Sequence, residues 1–296
     1  MSARRLIIDC DPGKDDAVAI WLAAASPELA IDRVIAVGGN VGLARTSANA
    51  RAVLDIIGRT TIPVFAGCDR PLLRVLETAP HVHGESGIDG ADLPASATPV
   101  ALGRGAVALV EAVMAADAPI TVAALGPLTN LAVAMTLEPG LAARIERLVI
   151  MGGGFRKANM TPFAEFNIYV DPHAAAIVLG SGAPITLVPL DVTREVLATV
   201  PWLDRLAVMP GPAPRATAGM YRISPDLALH DPCVVAWLLR PNLFAGRRAR
   251  VEVVTDDGPE IGRTLMQEGG EPGIDVLLEV DADGVRDLIA RRLESL

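Results

Sequence analysis

Short apolar runs alternate with helix-like stretches along most of this chain, and that rhythm limits the architectures open to it. Leu6-Ile7-Ile8, Ile31 to Val37, Val64-Phe65-Ala66, Ile120 to Ala124, Leu148 to Met151 and Ile185 to Pro189 read as strands. Between them, Asp15 to Ala25, Ala44 to Ile57, Ala101 to Ala116, the segment starting at Asn130 to Met135, and Pro172 to Leu179 read as helices. So many strand–helix units in series predict an α/β fold, with an open, mainly parallel sheet covered by helices on both faces. Near the end, Arg250 to Val254 and Ile261 to Leu265 flank Asp256-Asp257-Gly258 and predict a hairpin, which makes the sheet mixed. Ala282 to Leu293 predicts a closing amphipathic helix. No repeat or Ser/Gly-rich linker divides the chain, so residues 1–296 are expected to form one domain. The proline-rich stretch from Pro210 to Pro225 argues against a long regular helix there.

Composition fits strands buried on both faces. Apolar residues make up 51% of the chain but aromatics only 3%, so the core must be built from Ala, Val, Leu and Ile. The net charge of −9, with no basic run interleaved with aromatics, excludes a nucleic-acid polymer as the natural partner. Cys10, Cys68 and Cys233 are too few and too far apart for a disulfide framework or a zinc site. The apolar run before Asp9 is too brief for a signal peptide, and no uninterrupted apolar stretch is long enough to span a membrane. A soluble, cytoplasmic protein is therefore expected.

In such sheets ligands bind beyond the carboxyl ends of the strands, and the polar clusters of this chain follow the strands: Asp9 to Asp16, Gly38-Gly39-Asn40, Gly126 to Asn130, Gly152 to Asn159 and Asp191-Val192-Thr193. The first cluster is the most telling. Asp9, Asp11, Asp15 and Asp16 share one turn between a strand and a helix. A helix N-terminus accommodates one or two acids, but four repel one another unless a cation intervenes. Oxygen ligands alone indicate Ca²⁺ or Mg²⁺.

Asp9-Cys10-Asp11-Pro12-Gly13-Lys14-Asp15-Asp16-Ala17 resembles the signature of the inosine/uridine-preferring nucleoside hydrolase family. The resemblance continues through Val37-Gly38-Gly39-Asn40, His81-Val82-His83-Gly84-Glu85-Ser86-Gly87 and Leu125-Gly126-Pro127-Leu128-Thr129-Asn130. Met151-Gly152-Gly153-Gly154 with Asn159, Ala164-Glu165-Phe166-Asn167 with Asp171-Pro172, and His230-Asp231-Pro232-Cys233 complete it. It implies hydrolysis of the N-glycosidic bond of a ribonucleoside, with one Ca²⁺ per subunit bound by Asp11, Asp16, Asp231 and the main-chain carbonyl of Leu125. It places Asp15, Asn40, Asn159, Glu165 and Asn167 on the ribose hydroxyls, Asp11 as the base that activates water, and His230 as the acid toward the leaving group. An anionic pocket of this kind suits an oxocarbenium-like transition state. His83, Tyr221 and Arg222 are the residues available to contact the base. The family likeness also favours a homodimer or homotetramer.

Smaller expectations accompany these. Thr129-Asn130 should cap the following helix, the glycines 152–154 should let backbone approach the sugar, and Asp9 should brace the loop. Lys14 stands where the family has an apolar residue, and is expected to point to solvent. Three readings compete: a riboside hydrolase, for a nucleoside or another N-riboside; a nucleoside-binding protein without turnover; and a Mg²⁺-dependent aspartyl phosphatase. The last expects a hydroxyl residue after the second aspartate of its D-x-D, Asp11 here, where this chain has Pro12 and Gly13.

Overall fold

The computed structural model describes residues 3–269 and 273–296. Its nine strands are β1 (Arg4–Cys10), β2 (Leu29–Ala36), β3 (Val64–Ala66), β4 (Ile120–Ala124), β5 (Ile145–Met151), β6 (Ile185–Val188), β7 (Phe244–Val253), β8 (Thr264–Glu268) and β9 (Ile274–Val280). They form one mixed sheet in the order β3-β2-β1-β4-β5-β6-β9-β7-β8. Pairing is parallel from β3 through β9, and antiparallel where β7 meets β9 and β8.

Side chains alternate across each strand, and the core divides accordingly. Leu6, Ile8 and Cys10 of β1 face one apolar layer with Val34, Ala123, Val149 and Met151. Ile7 faces the other with Ile35, Val122, Leu148 and Ile150. The helices Lys14–Ala24, Leu43–Asp55, Pro232–Leu239 and Ala282–Leu293 contribute to the first layer. Gly105–Met114, Thr129–Leu137 and Pro172–Leu179 contribute to the second. Both faces are dry, which is why the strands read as continuous apolar runs.

Strand order fixes the place of the site. From β1 the chain moves outward through β2 to β3, then returns to place β4 on the opposite side of β1. Such a reversal opens a crevice at the strands' carboxyl ends, and the four acids of the Asp9–Asp16 turn sit at its edge. Main-chain bonds from Leu125 N–H to the Asp9 carbonyl (2.8 Å) and from Val37 N–H to the Cys10 carbonyl (2.9 Å) carry the ladder to the rim.

Two expectations need correction. The helix foreseen from Ala101 begins at Gly105, because Ala101 forms a bridge with Phe65 of β3. The proline-rich stretch does hold a regular helix, Pro212–Ile223. Pro212 and Pro214 occupy its first turn, where backbone N–H groups have no intrahelical acceptor to lose. The hairpin is present as β7 and β8, and the closing helix spans Ala282–Leu293 as foreseen. Among the described residues no helix is long and apolar enough to cross a membrane.

Asn130 ties three strand ends together from a fully buried position. Its Nδ2 donates to Asp9 Oδ1 (2.8 Å) and to the Ala36 carbonyl (3.2 Å), while its Oδ1 accepts from Cys68 N–H (2.7 Å). Asn130→Leu strands the Asp9 carboxyl and a backbone N–H without partners. Urea unfolding is expected to show a loss of about 3 kcal/mol; a loss within about 0.5 kcal/mol would mean that water replaces the amide freely.

Candidate active site

The turn after β1 is closed by one of its own acids. Asp16 accepts from the Asp11 N–H (3.1 Å) and the Gly13 N–H (2.9 Å), which wraps the loop around the start of helix Lys14–Ala24. Asn40, arriving from the end of β2, donates its N–H to Asp11 Oδ2 (2.7 Å) and its amide to the Asp11 carbonyl (3.1 Å) and Asp16 (3.3 Å). Glycines make room for this packing: a side chain at Gly39 or Gly126 would collide with the Asp11 carboxylate.

Asp231, at the start of helix Pro232–Leu239, brings a carboxylate from far along the chain. One oxygen each from Asp15, Asp16 and Asp231 lies within 4.8 Å of the others, and all three residues are buried. Asp11 stands beside this triad rather than in it. Its Oδ1, and the Oδ1 of Asp15, are buried without any hydrogen-bond partner. Burial, then the neighbouring carboxylates, pushes Asp11 and Asp231 well above the usual carboxylate range. The same causes raise Asp16 to about 7. Asp9 is also pushed up to about 7 by burial, with the Asn130 bond opposing, but it faces Asn130 rather than the triad. Its expected bracing role matches that contact.

The next wall comes from the segment after β5. Glu165 caps the helix Phe166–Val170, accepting from the N–H groups of Asn167 (2.9 Å), Ile168 (3.1 Å) and Gly153 (3.0 Å). Burial raises its pKa while these bonds oppose the rise. Asn167 Nδ2 donates to the Leu125 carbonyl (2.7 Å), so the amide and the main-chain oxygen meet at one point. Asn159 is exposed, and its Oδ1 accepts from Phe166 N–H (2.8 Å).

Two histidines occupy the remaining side. His83 accepts from Lys14 N–H at its Nδ1 (3.4 Å), 3.9 Å from Asp15, and burial lowers its pKa to about 4, so its ring is neutral at pH 7. His230 has Nδ1 on Thr193 Oγ1 (2.7 Å) and Nε2 at 3.4 Å from Asp226 Oδ2. Burial works against the Asp226 charge, but the His230 contact, the Ala228 N–H and Lys14 outweigh it and hold this carboxyl below the usual range. A cavity of about 340 Å³ is lined by Asp15, Asn40, Leu125, Asn159, Glu165, Asn167, His83, His230 and Asp231. Three larger clefts, of about 710, 540 and 410 Å³, contain none of the clustered carboxylates.

Several expectations do not match their residues' placement. Lys14 does not point to solvent; it is 3% exposed, with Nζ 5.5 Å from the centre of the Tyr221 ring. Tyr221 itself is fully buried, its hydroxyl donating to the Ala228 carbonyl (3.3 Å), and Arg222 pairs outward with Asp204 (2.6 Å); neither lines the cavity. Thr129 and Asn130 do not cap the helix they start, because the Thr129 hydroxyl donates to Asp171 (2.7 Å) and Asn130 holds Asp9. The glycines 152–154 make room for the chain's own atoms: side chains there would press on Ile168, Thr264 and the Lys157 carbonyl. Arg194 and Asp226 have no place in the sequence reading, and Thr193 enters it only as part of a polar cluster. The spacing of Asp226 and His230, four residues apart, was the available signal.

The chain matches the inosine-uridine preferring nucleoside hydrolase family over residues 6–287. It is 40% identical to a pyrimidine-specific ribonucleoside hydrolase, RihA, of Photobacterium profundum, over 98% of this chain and 99% of that protein. It is 38% identical to the protein of that name from Salmonella agona, over 98% of each. Among solved structures, a plant nucleoside hydrolase superposes with a TM-score of 0.92 at 31% identity, covering 98% of both chains. A purine-preferring ribonucleoside hydrolase from Gardnerella vaginalis gives 0.91 at 28% identity, again covering 98% of both. This chain belongs to the nucleoside hydrolase family, and is a hydrolase acting on N-glycosyl compounds.

The raised carboxylates set a pH dependence. Asp16 binds a proton up to about pH 7 when folded, against an ordinary value of 3.8, so the folded state carries the extra protons between those limits. Stability then falls as pH rises. With chelator present, the melting temperature is expected to drop from pH 5 to pH 8, and added Ca²⁺ to restore more at pH 8 than at pH 5. A melting temperature that climbs over that range in chelator would contradict this sign.

Proposed function

We propose that this chain is a calcium-dependent N-ribosidase that releases the free base from ribonucleosides. The observation that carries the calcium reading is the pair of buried, unpartnered carboxylate oxygens, Asp11 Oδ1 and Asp15 Oδ1, beside the Asp16–Asp231 contact. Every donor offered there is a hard oxygen, as a calcium ion prefers. Asp11, Asp16, Asp231 and the Leu125 carbonyl would hold it. When bound, calcium neutralises the packed acids and makes water a better nucleophile at neutral pH.

The residues divide the remaining work. Asp11 takes the proton of the attacking water. Asp15, Asn40, Asn159, Glu165 and Asn167 hold the ribose hydroxyls, which fixes the sugar against the carboxylates. As the glycosidic bond lengthens, positive charge grows on the sugar ring, and the surrounding anions favour that state over the ground state. His230 gives a proton to the departing base from Nε2, while Thr193 Oγ1 sets the plane of the ring through Nδ1. The names of the relatives at 38–40% identity favour a pyrimidine nucleoside as substrate. Family likeness alone supports a one-domain, cytoplasmic homodimer or homotetramer in nucleoside catabolism and salvage.

The governing test is kcat/KM for uridine, cytidine, inosine and a p-nitrophenyl riboside, with calcium and with chelator. Hydrolysis that requires calcium supports the reading, and failure on all four with calcium present sinks it. Asp11→Ala is expected to lower kcat by about a thousandfold or more on every substrate; near-normal turnover would remove Asp11 from the mechanism. His230→Ala should cost about a hundredfold on uridine and little on the p-nitrophenyl riboside, whose leaving group needs no proton. Equal losses on both would argue against proton donation by His230.

A further inference from the structure

Lys14 is a buried cation that lacks a strong partner. Only 3% of the residue is exposed, and among the described residues its Nζ makes neither a hydrogen bond nor a close ion pair; it faces the Tyr221 ring at 5.5 Å and lies within electrostatic reach of Asp226 and His83. A cation over a tyrosine face is partly compensated, but an ammonium carries three donors and no acceptor. Its Nζ is not sealed off with the fully buried partnerless atoms, so these donors open onto the cavity that Lys14 lines. An oxygen from outside the protein would satisfy them.

The cavity wall shows where that oxygen would lie. Lys14, His81, Val82, His83 and Pro225 line the 340 Å³ cavity and also bound an adjoining one of about 200 Å³. Asp15, Asn40, Glu165, Asn167 and Asp231 line the first cavity only. The main cavity therefore has a sugar end, where the acids and amides gather, and a far end to which Lys14 belongs. Asp226 also lines the main cavity, within electrostatic reach of Lys14, and contributes an acceptor oxygen.

We infer that Lys14 is a specificity-determining residue whose Nζ donates to the carbonyl oxygen of a lactam base, selecting uridine over cytidine. This rests on the nucleoside hydrolase reading and deepens it. A lactam edge offers an oxygen acceptor beside an N–H donor, which complements Lys14 and Asp226. Cytosine offers the reverse, an amino donor beside a bare ring nitrogen, and sets donor against donor at Lys14. The same contact gains strength as the bond breaks, because negative charge on the departing base gathers on its carbonyl oxygens.

The test compares kcat/KM for uridine and cytidine on the calcium-loaded enzyme. The wild type is expected to favour uridine by about tenfold or more, since a buried donor facing the wrong group discriminates strongly. Lys14→Met should bring that ratio to within about threefold, while Lys14→Arg, which keeps a cationic donor, should retain most of it. Lys14→Gln replaces Lys14→Met if the latter does not fold, and should also lower the ratio. A wild type without preference for uridine, or a Lys14→Met or Lys14→Gln enzyme that loses both activities equally, overturns the inference. If the wild type hydrolyses neither these two nor inosine or the p-nitrophenyl riboside, the proposed function fails. Calorimetric Kd values for uridine and cytidine then decide Lys14 separately: tighter uridine binding that the variant loses supports the role, and equal affinities reject it.

Discussion

Mutual repulsion among buried carboxylates governs the carboxyl end of this sheet. Asp11, Asp15, Asp16 and Asp231 are each at most 5% exposed, and none has an arginine or lysine ion-pair partner among the described residues. Buried like charges are tolerated only when protons, hydrogen bonds or a cation offset them. Backbone N–H groups from Asp11, Gly13 and Asn40 supply part of the offset, and burial with the neighbouring carboxylates still holds the pKa values raised. The glycines around Asp11 and the amide bridge from Asn130 to Asp9 make sense as accommodations to this one constraint.

Much of the architecture was legible because it depends on local periodicity. β4, the helix Pro172–Leu179 and the closing helix were bounded by their apolar pattern, and the hairpin by Asp256-Asp257-Gly258. β9 was missed. Its Ile274-Asp275-Val276 start is short and mixed in polarity, and its membership of the sheet depends on a non-local partner, β6. The helix Pro212–Ile223 was misjudged because proline is forbidden in a helix interior yet favoured in its first turn, and composition cannot tell the two apart.

The site was legible unevenly. Clustered acids announce themselves through charge alone, so Asp11, Asp15 and Asp16 could be read from one turn. Where a single side chain points depends on packing: Lys14 turned inward against Tyr221, and Arg222 outward to Asp204, and neither direction is encoded locally. Thr129 and Asn130 carried a helix-start pattern but spend their polar atoms on Asp171 and Asp9, because a buried acid outcompetes an N-cap. Thr193 was noted only as part of a polar cluster, since its value lies in meeting a histidine 37 residues later.

The position of β9 bears on how the chain is made. β6 is complete once residue 188 is synthesised, but its neighbour on the far side is β9, whose last residue is Val280. Until that point a nascent chain presents β6 as an open edge with unpaired N–H and C=O groups, a template for pairing with other chains. Asp231 also arrives after the first triad members and before the edge is closed. A ribosome pausing between residues 188 and 274 would thus hold out an unfinished sheet that carries most of the site's residues. Late pairing makes the last quarter of the chain the guardian of solubility for everything before it.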